Sequence, residues 1–206
     1  MVAENALIVF AKPPVAGLAK TRLIPALGKD GSAEMHAKLL MHTLGSVSSP
    51  QNLENTWDTH LWCSNDPDNH FFIECEKRFG VTRHKQVGVD LGERMAHAIH
   101  TMLQSYQRVC IIGSDCPEMN SLKVSTVFSC LKTENDLAIT PAEDGGYVLL
   151  AVKERLFPEI FSDIEWGGAG VFNQTISKIE ALELNAKIQP TLWDVDEPVD
   201  LKRVNF

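Results

Sequence analysis

Val109-Cys110-Ile111-Ile112-Gly113-Ser114-Asp115-Cys116-Pro117 is the stretch from which the rest of this 206-residue chain is read. Four apolar residues run directly into Gly-Ser-Asp, and a proline follows. Such an unbroken apolar run predicts a strand buried on both faces, in the middle of a parallel sheet. Gly113 permits a sharp exit, and Pro117 cannot pair inside a sheet. The strand then ends by presenting Asp115 at its C-terminal edge, where open α/β sheets bind ligands. A carboxylate there, beside small residues, suits a divalent cation carrying phosphates. Read by itself, Asp115 also fits a cap for a helix starting near Ser121.

Outward from this strand, the pattern alternates. Strands are expected at 6–11, 59–63, 81–87 (weak, polar, at an edge), 137–141, 147–152 and 188–193. Helical spacing covers 33–47, 71–79, 91–106, 124–131 and 171–184, with a last helical turn at 199–204. Gly28-Lys29-Asp30-Gly31-Ser32 reads as a turn and cap, Ser48-Ser49-Pro50 as a close, and Gly80 as a helix stop. Trp166-Gly167-Gly168-Ala169-Gly170 reads as a flexible loop. The order βαβαβαβαββαβα predicts one domain over 1–206. Its sheet is doubly wound and mostly parallel, with a hairpin-like excursion at 145–152.

Bulk numbers narrow the function classes. The chain is 44% hydrophobic and 22% charged, ordinary for a globular protein. A formal net charge of -8 with no basic run argues against a general nucleic-acid binder. No stretch reaches the ~18 apolar residues of a membrane span. Met1 to Phe10 lacks a basic n-region, so no signal peptide is expected. Five cysteines without a Cys-x-x-Cys pair fit a reduced, cytoplasmic protein. Cys110 reads as core. Cys116 adjoins Asp115 and is open to a reactive role, with no His partner near it in sequence.

Three segments besides Asp115 hold candidate chemistry. The loop after the first strand carries Lys12, Lys20 and Arg22, cations suited to phosphate oxygens. It has neither a Walker A nor a Gly-x-Gly-x-x-Gly pattern. Asp194-Val195-Asp196-Glu197-Pro198 follows a strand, so a carboxylate from it can complete a metal site with Asp115. Two carboxylates with substrate oxygens and waters satisfy Mg²⁺ or Mn²⁺; a helix cap at Asp196 is the structural alternative. Glu143-Asp144-Gly145-Gly146-Tyr147 offers carboxylates for sugar hydroxyls or proton abstraction, on a glycine turn that lets a backbone approach a ligand. The alternative is a bare hairpin turn. Trp166 can stack on a ligand ring. His97 and His100 lie three apart on a helix without a third ligand, and His36 and His42 do not share a face.

Together these pieces resemble a known family. Phe10-Ala11-Lys12-Pro13-Pro14-x-x-Gly17-x-x-Lys20-Thr21-Arg22-Leu23, Asp90-Leu91-Gly92-Glu93-Arg94-Met95, Ile112-Gly113-Ser114-Asp115-Cys116-Pro117, Pro141-Ala142-Glu143-Asp144-Gly145-Gly146-Tyr147 and Asp194-Val195-Asp196-Glu197-Pro198 occur in that order. The set is similar to DUF2064, also described as transferase 1 associated with radical-SAM and selenium-linked domains. The resemblance implies a Rossmann-like three-layer α/β/α sandwich of the GT-A, nucleotide-diphospho-sugar transferase type. It implies a nucleotide sugar bound through a divalent metal, with Gly113-Ser114-Asp115 in place of an Asp-x-Asp signature. Asp115 is then the metal ligand, with Asp194 or Asp196 second. Lys12, Gly17, Lys20, Arg22 and Ser114 form the phosphate side, and Gly145, Gly146 and Trp166 the sugar or acceptor side. Leu18 stands where the family often has Arg, and Gly167-Gly168 where it tends to have Ser-Thr.

Three functions follow as expectations. The first is a metal-dependent glycosyltransferase with Asp115, Glu143 and Asp144 as catalytic residues and an unknown small-molecule acceptor. The second is a nucleotidyltransferase joining a nucleoside triphosphate to a phosphorylated small molecule, because Lys20-Thr21-Arg22-Leu23 also resembles the loop of guanylyltransferases acting on phospholactate. The third is a non-catalytic nucleotide-sugar binding protein.

Overall fold

The computed structural model describes residues 4–48 and 55–205. Its seven strands are β1 (Asn5–Ala11), β2 (Asp58–Cys63), β3 (Thr82–Lys85), β4 (Arg108–Ile112), β5 (Leu137–Pro141), β6 (Tyr147–Lys153) and β7 (Ala186–Ile188). The helices are α1 (Ile24–Ser46), α2 (His70–Phe79), α3 (Leu91–Leu103), α4 (Ser121–Cys130) and α5 (Val171–Ala181). The strands form one sheet in the order β3-β2-β1-β4-β6-β5-β7. All neighbours are parallel except those of β6, which runs antiparallel to both β4 and β5.

β4 occupies the sheet centre, and Val109 to Ile112 are at most 4% exposed. The sequence expectation of a central strand holds, with one change: one of its two neighbours is antiparallel. The 145–152 segment is therefore not an excursion. It returns as β6 and fills the position between β4 and β5.

Period-2 alternation sorts the core into two layers. Leu7, Val9, Leu61, Cys110 and Ile112 face α1, α2 and α4 through Leu40, Phe72 and Val124. Ala6, Ile8, Trp62, Val109 and Ile111 face α3 and α5 through Met95, Ile99 and Ile179. This is the expected three-layer α/β/α arrangement.

Local chemistry sets most boundaries. Asn69, Asp90 and Asn120 cap α2, α3 and α4 by accepting backbone N–H bonds. Asp115 is thus not the cap of α4. Gly80 ends α2 in the left-handed region at φ 67°. The turn expected over 28–32 shrinks to Gly28, whose φ of 71° kinks α1, while 29–32 stay helical. Helices α3 and α5 stop before the expected 106 and 184. The last strand lies at 186–188 rather than 188–193, and only a single bridge joins Ala142 to Leu192. Thr21–Leu23 and Pro158–Phe161 form short 3-10 turns that the sequence pattern does not signal. Ser49 and Pro50, and the start of the chain at 1–3, lie outside the described residues. Among the described residues, no helix is long and apolar enough to cross a membrane, and all five cysteines are free.

Candidate active site

The chain order reverses between β1 and β4, so the loops leaving these two strands splay apart and open a crevice at their C-terminal ends. Backbone bonds bring the acidic segments to this edge. Val195 N–H donates to Asp115 O at 2.9 Å, which holds the 194–196 segment against Asp115. Glu143 N–H donates to Leu192 O at 2.9 Å and Leu192 N–H to Pro141 O at 3.0 Å, which fixes the Glu143-Asp144 turn beside the same segment. Three motifs that lie far apart in sequence thus become neighbours.

The crevice has three connected lobes. A basic lobe of about 440 Å³ is lined by Lys12, Lys20, Arg22, Arg94, Gln86 and Ser114. An apolar lobe of about 230 Å³ is lined by Phe10, Met95, Ile111, Tyr147, Val148 and Trp166. An acidic lobe of about 450 Å³ is lined by Glu143, Asp144, Asp194, Asp196, Glu197 and Asp200, with Arg22. Asp115 borders the first two lobes, and Asp144 and Asp194 border the last two.

Charge pairing differs among the carboxylates. Lys20 Nζ donates to Asp115 Oδ2 at 2.7 Å and lies 3.7 Å from Asp196 Oδ1. Arg22 donates to Asp196. Burial works against both charges of the Lys20–Asp115 pair, but their mutual attraction outweighs it: the lysine pKa is raised and that of Asp115 lowered. Among the described residues, Asp194 has no such ion pair. Burial, then repulsion from Asp115 and Asp144, pushes its pKa up to about 7. Glu143 is exposed and gripped by Arg203 through two bonds of 2.6 and 3.0 Å, which hold its carboxyl below the ordinary range. Arg203 also stacks over Trp193, 4.1 Å from the ring centre. Asp144 Oδ1 accepts from Gly146 N–H at 2.8 Å.

Other sequence candidates fall as follows. Lys12 is exposed at the basic lobe, and Gly17 turns the loop at φ 79°. Gly145 does not make room for a ligand. Its φ is 89°, and a Cβ there would stand 2.0 Å from Ala169 O, so it admits the 166–170 loop. Trp166 lines the apolar lobe edge-on to Tyr147, with ring centres 6.5 Å apart. A Cβ on Gly92 would meet the Trp166 ring at 2.8 Å, so that glycine seats the tryptophan on α3. Cys116 is 1% exposed, and burial pushes its thiol up to about 12, which removes it as a nucleophile.

The lobes are also lined by Phe10, Gln86, Arg94, Met95 and His36, to which the sequence alone assigns no site role. Phe10, Arg94 and Met95 lie within the family motifs. Gln86 donates Nε2 to Trp62 O at 2.8 Å. His36 Nε2 lies 2.9 Å from Lys12 O; a carbonyl only accepts, so this nitrogen carries the proton and the ring pins the start of the basic loop.

Solved structures of several other proteins have a similar architecture. A protein from Desulfovibrio desulfuricans G20, provisionally named a nucleotide-diphospho-sugar transferase, matches with TM-score 0.84 at 30% identity, over 95% of this chain and 84% of that one. CMP:2-keto-3-deoxy-manno-octonic acid synthetase, solved with CTP, matches with TM-score 0.62 at 10% identity, over 98% and 96%. Glucosyl-3-phosphoglycerate synthase from Mycobacterium tuberculosis, solved with Mn²⁺, UDP and glucosyl-3-phosphoglycerate, matches with TM-score 0.59 at 12% identity, over 98% and 75%. The last two share the fold alone. Among curated proteins, none matches. Residues 50–168, more than half of the chain, match the family described as an uncharacterized protein conserved in bacteria (DUF2064). The chain belongs to the DUF2064 family and has the nucleotide-diphospho-sugar transferase fold.

Proposed function

We propose that this protein is a metal-dependent glycosyltransferase that uses a nucleotide-diphospho-sugar donor. One observation carries the reading: Asp115 stands where a basic lobe adjoins an apolar, aromatic one, and Asp194 lines that same apolar lobe. A diphosphate suits the first lobe and a sugar or acceptor ring the second. Lys12, Lys20, Arg22 and Arg94 supply positive charge for phosphate oxygens.

The donor set fits a hard divalent cation. Asp194 is a half-buried carboxylate whose pKa is raised to about 7 by burial, then by repulsion from Asp115 and Asp144, with Lys20 offsetting this in part. Among the described residues, no three His, Cys, Asp or Glu side chains form a metal cage. The fit is therefore to an ion held by two carboxylates and completed by phosphate oxygens and waters. Asp196 is held by two cations, Arg22 and Lys20, and Asp194 by no ion pair among the described residues, so Asp194 is taken as the second ligand. A bound Mg²⁺ or Mn²⁺ would stabilise charge on the departing diphosphate. Asp144, between the apolar and acidic lobes, is the better group to orient an acceptor hydroxyl or take its proton. Glu143, held low by Arg203, is a poor base and serves to fix the turn.

The charge of the basic lobe also favours a second reading, nucleotidyl transfer from a triphosphate. Products separate the two. Incubation with a panel of nucleotide sugars and Mn²⁺ is expected to release nucleoside diphosphate. Release of pyrophosphate from a triphosphate and a sugar phosphate, with no turnover of nucleotide sugars, would move the assignment to the second.

A further inference from the structure

Lys20 is built unlike the other cations of the cleft. Its side chain is 8% exposed, against 60% for Arg22. Its backbone sits at φ 45°, ψ 51°, in the left-handed region that a residue with a Cβ rarely adopts. Ala19 before it is buried, with its N–H on Val15 O, and Leu23 N–H returns to Lys20 O. The loop thus accepts a strained conformation to deliver one ammonium to the cleft floor. A lysine that merely collected phosphate from solvent would require neither the burial nor the strain. The ammonium contacts Asp115 at 2.7 Å and approaches Asp196 at 3.7 Å, between two of the three carboxylates that are candidate metal ligands.

We propose that Lys20 is the resident counter-cation of Asp115, which keeps a free divalent ion out until a diphosphate arrives. This rests on the reading of Asp115 as a ligand for a nucleotide-bound metal. An ammonium and a divalent ion on one carboxylate repel strongly at such distances. A diphosphate supplies the negative charge that lets both remain, with Lys20 turned onto a phosphate oxygen. Metal and diphosphate therefore bind with positive coupling, and the coupling is reciprocal.

The test is calorimetric titration of Mn²⁺, alone and with inorganic pyrophosphate as a base-free probe. The proteins are the wild type, Lys20→Met, Lys20→Gly and, as a control, Arg22→Gln. Lys20→Gly also relieves the left-handed backbone, so loss of folding in the methionine variant would not remove the test. Both neutral Lys20 variants are expected to bind Mn²⁺ alone about tenfold or more tightly than the wild type. Pyrophosphate is expected to enhance their Mn²⁺ binding less than it does in the wild type. Arg22→Gln, which removes a cation from Asp196 rather than from Asp115, is expected to gain less in affinity for Mn²⁺ alone than either Lys20 variant. Unchanged or weaker Mn²⁺ binding in the Lys20 variants, or an equal gain in Arg22→Gln, overturns the proposal. Absence of Mn²⁺ binding to every folded protein, with or without pyrophosphate, overturns the metal-dependent reading itself.

Discussion

A carboxylate in a partly buried cleft keeps its charge only where a cation stands against it. Asp115 has Lys20 and its pKa is lowered; Asp194 has no such ion pair among the described residues, and burial, then repulsion from Asp115 and Asp144, raises its pKa to about 7. Asp196, by comparison, is held by Arg22 and Lys20, and these differences depend on neighbours that no sequence window contains. A second pH-sensitive residue lies away from the cleft. His60 is 7% exposed, with Nδ1 3.0 Å from His84 Nε2 and Nε2 3.1 Å from the Tyr106 hydroxyl, which donates to Asp58 at 2.9 Å. Burial, then His84, lowers its pKa to about 4, and Asp58 offsets this only in part. The unfolded chain takes up a proton near the ordinary value of about 6.5, whereas folded His60 does not until about 4. Stability should be full above pH ~6.5 and fall as the pH drops toward ~4, by at most about 3 kcal/mol from this group. Urea titrations across that range check it: His60→Gln is expected to flatten the slope, and an unchanged slope would contradict the assignment.

The site is assembled by three returns of the chain to the C-terminal edge of the sheet. Two glycines hold the aromatic wall. Gly145→Ala would set a Cβ 2.0 Å from Ala169 O at a φ of 89°, and should cost about 2–4 kcal/mol by thermal melting. Gly92→Ala would push a Cβ to 2.8 Å from the Trp166 ring. It should shift the tryptophan emission and weaken binding in the apolar lobe, with a stability loss of about 1–3 kcal/mol. Retention of wild-type stability in Gly145→Ala would show that the 166–170 loop does not pack there. Elements with strong local signals were legible in the sequence: β4 from its apolar run, α2 from its spacing and Gly80, the weak edge strand β3 from its polarity. β6 was read as a strand but not as a central one, because strand order is set by pairings across the sheet. β7 was placed too late, since only three residues pair and the rest of that segment runs as loop into Asp194. The four charged clusters were visible as motifs. Gln86, His36 and the purpose of Gly145 were not, because each takes its meaning from a partner more than twenty residues away.

Across the whole molecule, one sheet carries β1, β4, β5 and β6 into a single crevice, and two helical layers close on it from either side. The two core layers share every central strand, so unfolding is expected as one cooperative transition. Two separated calorimetric transitions would divide the chain into independent parts. Ligand should then stabilise the molecule as a unit, by about 2.7 kcal/mol at a hundredfold excess over its dissociation constant. The most direct measurement is calorimetric titration of the wild type and Asp115→Ala with UDP, GDP, CDP and ADP, each with and without Mn²⁺. Binding of at least one nucleoside diphosphate that requires Mn²⁺ and drops about a hundredfold or more in Asp115→Ala is the expected result; no binding of any of them, or equal binding by both proteins, would contradict Asp115 as the meeting point of metal and diphosphate.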